Sequence, residues 1–346
     1  KVTVAGDTAV AAPTERATSS YTVDRSMGPV LSFNTYNDIF HFLGEPTYGN
    51  IEGEQGDWEF VITKLTEDSI FVKGKKWENE MVFTRMADGV DWTSYLDSIA
   101  DVQKRLGVNY SVGNSSDASK MVEINSATRR ILSRTADGQM VEQPFYVTST
   151  GIHAVNEPVA LGEDKAQDFL VSKAGVMTAK DNEDLTLNSY APGIDTWVGE
   201  WTLSAMQGSC DMTISKVEDQ ENMLKGTFTA GGYTYNIGLS FNPETGALNL
   251  PSQLIEDPSG RYPALWLMNA DLNQGTLLGQ GGMNVVWHGV SQEGDFEDDG
   301  TLASEGYASD SFVALPCTAD GEIIKENNQF VFVVEWYFLS NLTPNK

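Results

Sequence analysis

Cysteine, histidine and positive charge are all scarce in this chain. Its 346 residues hold two cysteines, Cys210 and Cys317. That count excludes a disulfide-dense secreted scaffold, and no CxxC pair is present to hold zinc or carry out redox chemistry. Bonded to each other, the two thiols would close a loop of about 107 residues, worth up to roughly 4–5 kcal/mol in the chain-entropy picture. Left free, they would pack as small hydrophobes. The three histidines, His41, His153 and His288, form no HExxH or other spaced ligand pair. No metal site and no cofactor is therefore expected. Lysine and arginine number 22 against 49 aspartates and glutamates, a net charge of −27. Such a surface repels phosphate backbones and anionic lipid, which excludes nucleic-acid binding and charge-driven membrane binding. No run approaches 18 apolar residues, so no helical span of a bilayer is expected.

What the chain does contain is β-forming. Apolar residues make up 40% and aromatics 10%, too much for a disordered acidic chain, and 32 glycines imply many tight turns. The pairs Asp88-Gly89, Asp137-Gly138, Gly231-Gly232, Thr245-Gly246, Asp299-Gly300 and Asp320-Gly321 each separate apolar or alternating runs. They supply the positive φ that hairpins require. Strands are predicted at 2–4, 58–62, 70–73, 143–148, 169–171, 285–288 and along 330–339. One segment is helical: from Asp91 to Leu106 apolar residues recur at spacings of three and four, with Asp91 as N-cap and Gly107 placed to end it. Its packed face should carry Trp92, Tyr95, Leu96 and Ile99. A shorter helix is expected over 36–43.

The length suggests two domains. Ile62-Thr63-Lys64-Leu65 and Ile214-Ser215-Lys216-Val217 are each followed, after an acidic turn, by an apolar run ending in Lys-Gly, which reads as a duplicated meander. The boundary falls in the polar stretch 181–193. The expectation is an all-β protein with one or two short helices. It has two β-meander domains, barrel-like or sandwich-like, at 1–190 and 191–346. Residues 1–190 carry 17 basic and 28 acidic side chains, and residues 191–346 carry 5 and 21. A ligand of the second half should then be neutral, because an anion would find almost no cationic partner there.

Few residues point to chemistry. The triplet Asp295, Glu297, Asp299 with Gly300 imitates the start of a calcium loop, but the twelfth position is Gly306, so an acidic hairpin turn is the better reading. Glu335 interrupts the apolar run 330–339. Buried there, it would be a carboxylate suited to acid catalysis; bonded to a nearby tyrosine or set at the rim of a sheet, it would be structural. Trp266, Trp287 and Trp336 offer ring faces on strands, with His288 beside Trp287. These five residues are the candidate ligand-binding set, alongside the alternative that the tryptophans are core. No Gly-x-Ser-x-Gly elbow is present.

The phrases Gly28-Pro29-Val30-Leu31-Ser32-Phe33-Asn34-Thr35-Tyr36-Asn37, Gly56-Asp57-Trp58-Glu59-Phe60, Lys73-Gly74-Lys75-Lys76 and Gln143 through Ile152 resemble a domain-of-unknown-function family of exported Bacteroidetes lipoproteins. The second half, from Trp197-Val198-Gly199-Glu200-Trp201 to Pro251, is similar to calycin-like β-modules. The resemblance implies a lipid anchor on a cysteine upstream of this chain and a place at the outer membrane, and it implies no activity. A chain trimmed of an export signal and its first residues would open as this one does, at Lys1-Val2-Thr3-Val4. The reading favoured is a non-enzymatic envelope lipoprotein, accessory to glycan or peptide uptake beside outer-membrane uptake proteins, binding a neutral glycan or small apolar ligand. A glycan hydrolase using a carboxylate acid, and a structural envelope component, stand as alternatives.

Overall fold

The computed structural model describes residues 1–8, 11–25, 28–46 and 51–345. Strands make up 47% and helix 9%, in an all-β fold. All six turn dipeptides place their final glycine at φ between 72° and 87°. Those at Gly138, Gly232 and Gly246 close hairpins, whereas Gly89 leads into the helix and Gly300 leaves a strand for another sheet. By contact density the chain forms two compact units, one of residues 1–106 with 147–153 and 170–172, the other of 107–146 with 154–169 and 173–346.

The first unit holds a five-stranded antiparallel sheet of Thr22–Asp24, Val30–Ser32, Glu59–Leu65, Ser69–Gly74 and Glu80–Thr84. Phe33, Phe60 and Val72 form its small core. The long helix runs over Trp92–Arg105, with Asp91 accepting the Ser94 N–H as N-cap. It ends at Leu106 with no left-handed cap at Gly107. Ile99 and Val102 are its buried residues, and Tyr95 and Leu96 are half-buried. Trp92 is the exception to the expected packed face. It is exposed and lies under the Arg16 guanidinium, while the same arginine bonds Thr93. A ring in the first turn of a helix satisfies the same spacing whether it meets a core or a cation.

Two closed eight-stranded antiparallel barrels follow in chain order, each an up-and-down meander. Residue 190 falls between the last strand of the first barrel, Asn182–Ser189, and the first strand of the second, Gly199–Ala205. The second barrel continues through Gly208–Lys216, Met223–Ala230, Tyr233–Phe241, Leu248–Pro251, Gly282–His288 and Glu293–Asp298, and closes on Asn341–Pro344. Two excursions between its strands build a further five-stranded sheet that shares its core. Strict alternation sends Trp201, Leu203, Ile237, Leu239, Val285 and Trp287 inward, and eight strands leave room only for side chains.

Two sequence readings need correction. The similar segments at 62–74 and 214–226 are both hairpins, but in the first Phe60 faces Gly74 across a bulged ladder, whereas in the second Ile214 faces Gly226. One lies in an open sheet and the other in a barrel, so their likeness reflects shared hairpin composition. The run 330–339 is not one strand: only Val334–Trp336 pairs, and Phe338 turns to φ 48°. Its apolar residues divide accordingly, with Val334 and Trp336 buried and Phe332 and Phe338 exposed.

Helix packing gives a direct expectation. Ile99→Ala should cost about 2–4 kcal/mol in chemical denaturation, while Trp92→Ala should cost less than about 1 kcal/mol. Equal losses would place the packed face elsewhere.

Candidate functional site

Within the second unit the sequence places a row of short polar side chains across four neighbouring strands. Register pairs Ser240 with Asn249, Asn249 with Asn284, and Asn284 with Glu297. Paired residues project to the same side of a sheet, so all four lie on the outer face of the second barrel. The inward neighbours of the asparagines are core residues, in Leu248-Asn249-Leu250 and Met283-Asn284-Val285. The Asn249 amide donates to Asn284 Oδ1 at 3.2 Å and reaches Asp299 Oδ2 at 3.4 Å. This row floors a cleft of about 680 Å³, bounded further by Val108, Asn109, Tyr190 and Asn242. Glu244, Glu297 and Asp299 line it, and among the described residues no lysine or arginine does. Among the described residues no group of three His, Cys, Asp or Glu is placed to hold a metal ion. Asp299 and Asp298 instead accept the turn N–H groups of Thr301 and Gly300, so 299–300 is not a hairpin turn but the acidic exit of the strand Glu293–Asp298 towards Ser311–Cys317 in the neighbouring sheet.

One side of this region is fixed by a buried polar contact between the two barrels. Asn109, on the strand Asn109–Val112, donates to the Trp287 carbonyl and accepts the Gly289 N–H at 2.8 Å. Glu123, on Met121–Asn125 and 7% exposed, accepts the N–H groups of Val290 and Ser291. Arg134 donates to the Val290 carbonyl at 2.8 Å. The turn 287–291 is thus held by three side chains from the first barrel, satisfying backbone groups that burial would otherwise leave costly.

His288 stands in the same contact. Its Nδ1 lies 3.4 Å from Glu123 Oε2, and its Nε2 lies 3.3 Å from Asp295 Oδ2, near enough to attract though not aligned for a hydrogen bond. The hydrogen bond to Glu123, with the further pull of Asp295 and Glu293, outweighs burial and raises the imidazole above its usual range. The partners of His288 there are carboxylates, with no hydroxyl or thiol bonded to it among the described residues. Cys210 and Cys317 are free, and burial pushes both thiols up, away from the reactive thiolate.

The other residues singled out by sequence are dispersed. Trp287 and Trp336 are 5% and 6% exposed, inside the core of the barrel and its sheet, so their faces are not open to stack on a ligand. Trp266 is half-buried and lines a separate shallow groove of about 480 Å³ with Met268, Leu278 and Tyr307. Glu335 is exposed and accepts a hydrogen bond from the Tyr337 hydroxyl, whose pKa is pushed up to about 12 by burial and by that bond. The buried carboxylate that acid catalysis needs is not at this position. Asn109, Asn249 and Asn284 were not singled out by sequence. Their signal is a polar residue between two inward apolar ones, and every outward strand position shares it.

Residues 1–173 match the family described as Domain of unknown function (DUF4302). The chain belongs to this family. The family region contains Asn109, Glu123 and Arg134 and ends before the second barrel begins, so most of the cleft lies outside it. No curated protein and no solved structure matches the chain.

Because the folded imidazole binds its proton more tightly than the unfolded one, its contribution is fully present below about pH 6.5 and is lost as pH rises through the higher folded value. The melting-temperature gap between the wild type and His288→Gln should be widest at pH 5.5–6.5 and narrow at alkaline pH. A gap independent of pH would remove His288 from the contact.

Proposed function

We propose that this protein is a non-enzymatic binding protein whose second barrel recognises a neutral, polyhydroxylated ligand in the amide-floored cleft. The observation that carries this is the row Ser240, Asn249, Asn284 and Glu297 in a cleft with no cation among the described residues that line it. Amides and hydroxyls both donate and accept, as sugar hydroxyls do, so adjacent hydroxyls can each find a partner. An anionic ligand would be repelled by the carboxylates of Glu244, Glu297 and Asp299, and a wholly apolar one would strip water from amides without replacing it. The filled interior of the barrel supports binding on its outer face. The likeness of the first-half phrases to exported lipoproteins supports a place at the outer membrane, and the up-and-down meander is in keeping with a calycin-like module. In this reading the protein holds glycan near the envelope for uptake by others.

Binding of neutral oligosaccharides by the full chain, followed by calorimetry, tests the proposal. Asn284→Leu and Asn249→Leu should each weaken a neutral ligand about tenfold, or about 1.4 kcal/mol, with no release of reducing ends by the wild type. Undiminished affinity in both variants would reject the cleft, and turnover would reject the non-enzymatic reading.

A further inference from the structure

Three phrases of the family region, distant in sequence, meet at one place in the first unit. Asn37 caps the short helix Asp38–His41, its Oδ1 accepting the N–H groups of Ile39 and Phe40. The helix presents His41, whose ring packs on Tyr36 at 5.4 Å and on Trp58 at 5.3 Å, with interplanar angles of 32° and 29°. Trp58 is locked from a second side, because a Cβ on Gly44 would come within 2.6 Å of its ring. Tyr36 is tethered through its hydroxyl to Glu45, which pushes the phenol up to about 12.

The third phrase arrives through Asp57. Its carboxylate accepts the N–H groups of Lys76 and Trp77 at 2.8 and 3.1 Å, and a Cβ on Gly74 would fall 2.1 Å from Oδ2. Glycine at 74 is what lets the turn close on the carboxylate. Lys75 and Lys76 are thereby carried beside Trp58. Lys75 Nζ bonds the Glu59 carboxylate at 3.1–3.2 Å, and Lys76 Nζ sits 4.4 Å from the Trp77 ring centroid. Trp58, Asp57, Glu59, Lys75 and Lys76 line a hollow of about 290 Å³. Trp58 remains 38% exposed and Tyr36 60% exposed.

A lone surface tryptophan needs no explanation. This one is held rigid by a stacked histidine and a glycine that tolerates no side chain, and it borders paired acceptors and donors. A fixed aromatic face loses little freedom on binding. Two carboxylates and two ammonium groups leave the hollow without net charge. They offer acceptors and donors side by side, the pattern that neighbouring sugar hydroxyls require. An apolar guest would desolvate Glu59 and Lys76 with nothing in return. We infer that this hollow is a second binding site, taking one ring of a neutral glycan with its C–H face on Trp58 and its hydroxyls between Glu59, Lys75 and Lys76. The site lies in the family region and does not depend on the cleft of the second barrel.

The test uses the full chain carrying Asn284→Leu, so that the cleft does not contribute. Cellohexaose, maltohexaose, xylohexaose and mannohexaose serve as probes, with trigalacturonate as the acidic comparator, in affinity electrophoresis and tryptophan fluorescence. At least one neutral oligosaccharide should bind at millimolar concentration or below and perturb the emission. Trp58→Ala should weaken it about tenfold, and Lys76→Ala severalfold. Lys76 is exposed, so its variant reads binding without loss of fold, and an unshifted melting temperature checks this. Absence of neutral binding, binding of trigalacturonate alone, or affinity unchanged in both variants would overturn the inference.

Discussion

The second barrel depends on one buried indole. Trp197 ends the short 3₁₀ turn Ile194–Trp197 and has no exposed surface. Its N–H donates to the Gly246 carbonyl at 2.8 Å, and its own carbonyl accepts the Trp201 indole. Trp201 and Trp287 pack on it with centroids 5.5 and 5.4 Å away. Gly294 lies against the ring so closely that a Cβ there would approach within 2.7 Å. Gly246 is constrained twice, by φ 72° and by Pro192, which a Cβ would meet at 2.2 Å. Fully burying a large aromatic with its polar atom satisfied is among the more stabilising arrangements open to a barrel core. It also limits where the proposed ligand has room. With the interior occupied by side chains, a ligand is left the outer strand faces and the connections.

The contact between the barrels follows another logic. Asn109, Glu123 and Arg134 reach out from the first barrel and meet backbone groups of a single turn, 287–291. Such contacts are directional and tolerate little misfit, so they fix position more than they add affinity. Gly289 allows the close approach, since a Cβ there would lie 2.6 Å from the Met121 sulfur. His288, at the edge of this contact, sets its imidazole beside the Glu123 carboxylate.

Much of the fold was legible in the sequence, and for identifiable reasons. Glycines after Asp, Gly or Thr marked turns because few residues adopt positive φ without strain. The spacing of Ile99 and Val102 marked a helix because a 3.6-residue period has no other common source. The run 330–339 misled because its aromatics divide between a three-residue strand and an exposed loop, and hydrophobicity alone does not distinguish the two. Ring closure was beyond reach, since a meander of eight strands reads the same open or shut. The site was least legible. The asparagines of the cleft carry no motif: Asn249 and Asn284 are neighbours only through strand register, and Asn109 comes from the other barrel. The tryptophans drew attention by type, yet Trp287 is a core residue, while Trp58 stood unremarked within a family phrase.

The seam of the second barrel sets the order in which it can be built. Strand Gly199–Ala205 pairs with Asn341–Pro344, and the Thr343 hydroxyl reaches the Thr202 carbonyl across 141 residues of chain. Both excursions into the neighbouring sheet lie within that interval. The entropy of closing so long a loop rises only with the logarithm of its length, about 0.6 kcal/mol per doubling, but it must be met before the seam returns any contact energy. The hairpins around 208–241 pair neighbours in sequence and close at less entropic cost than the seam, so topology favours them as the earlier step. Until the seam closes, the apolar lining stays open to water, and a chain bearing so many like charges keeps its unfinished neighbours apart by repulsion.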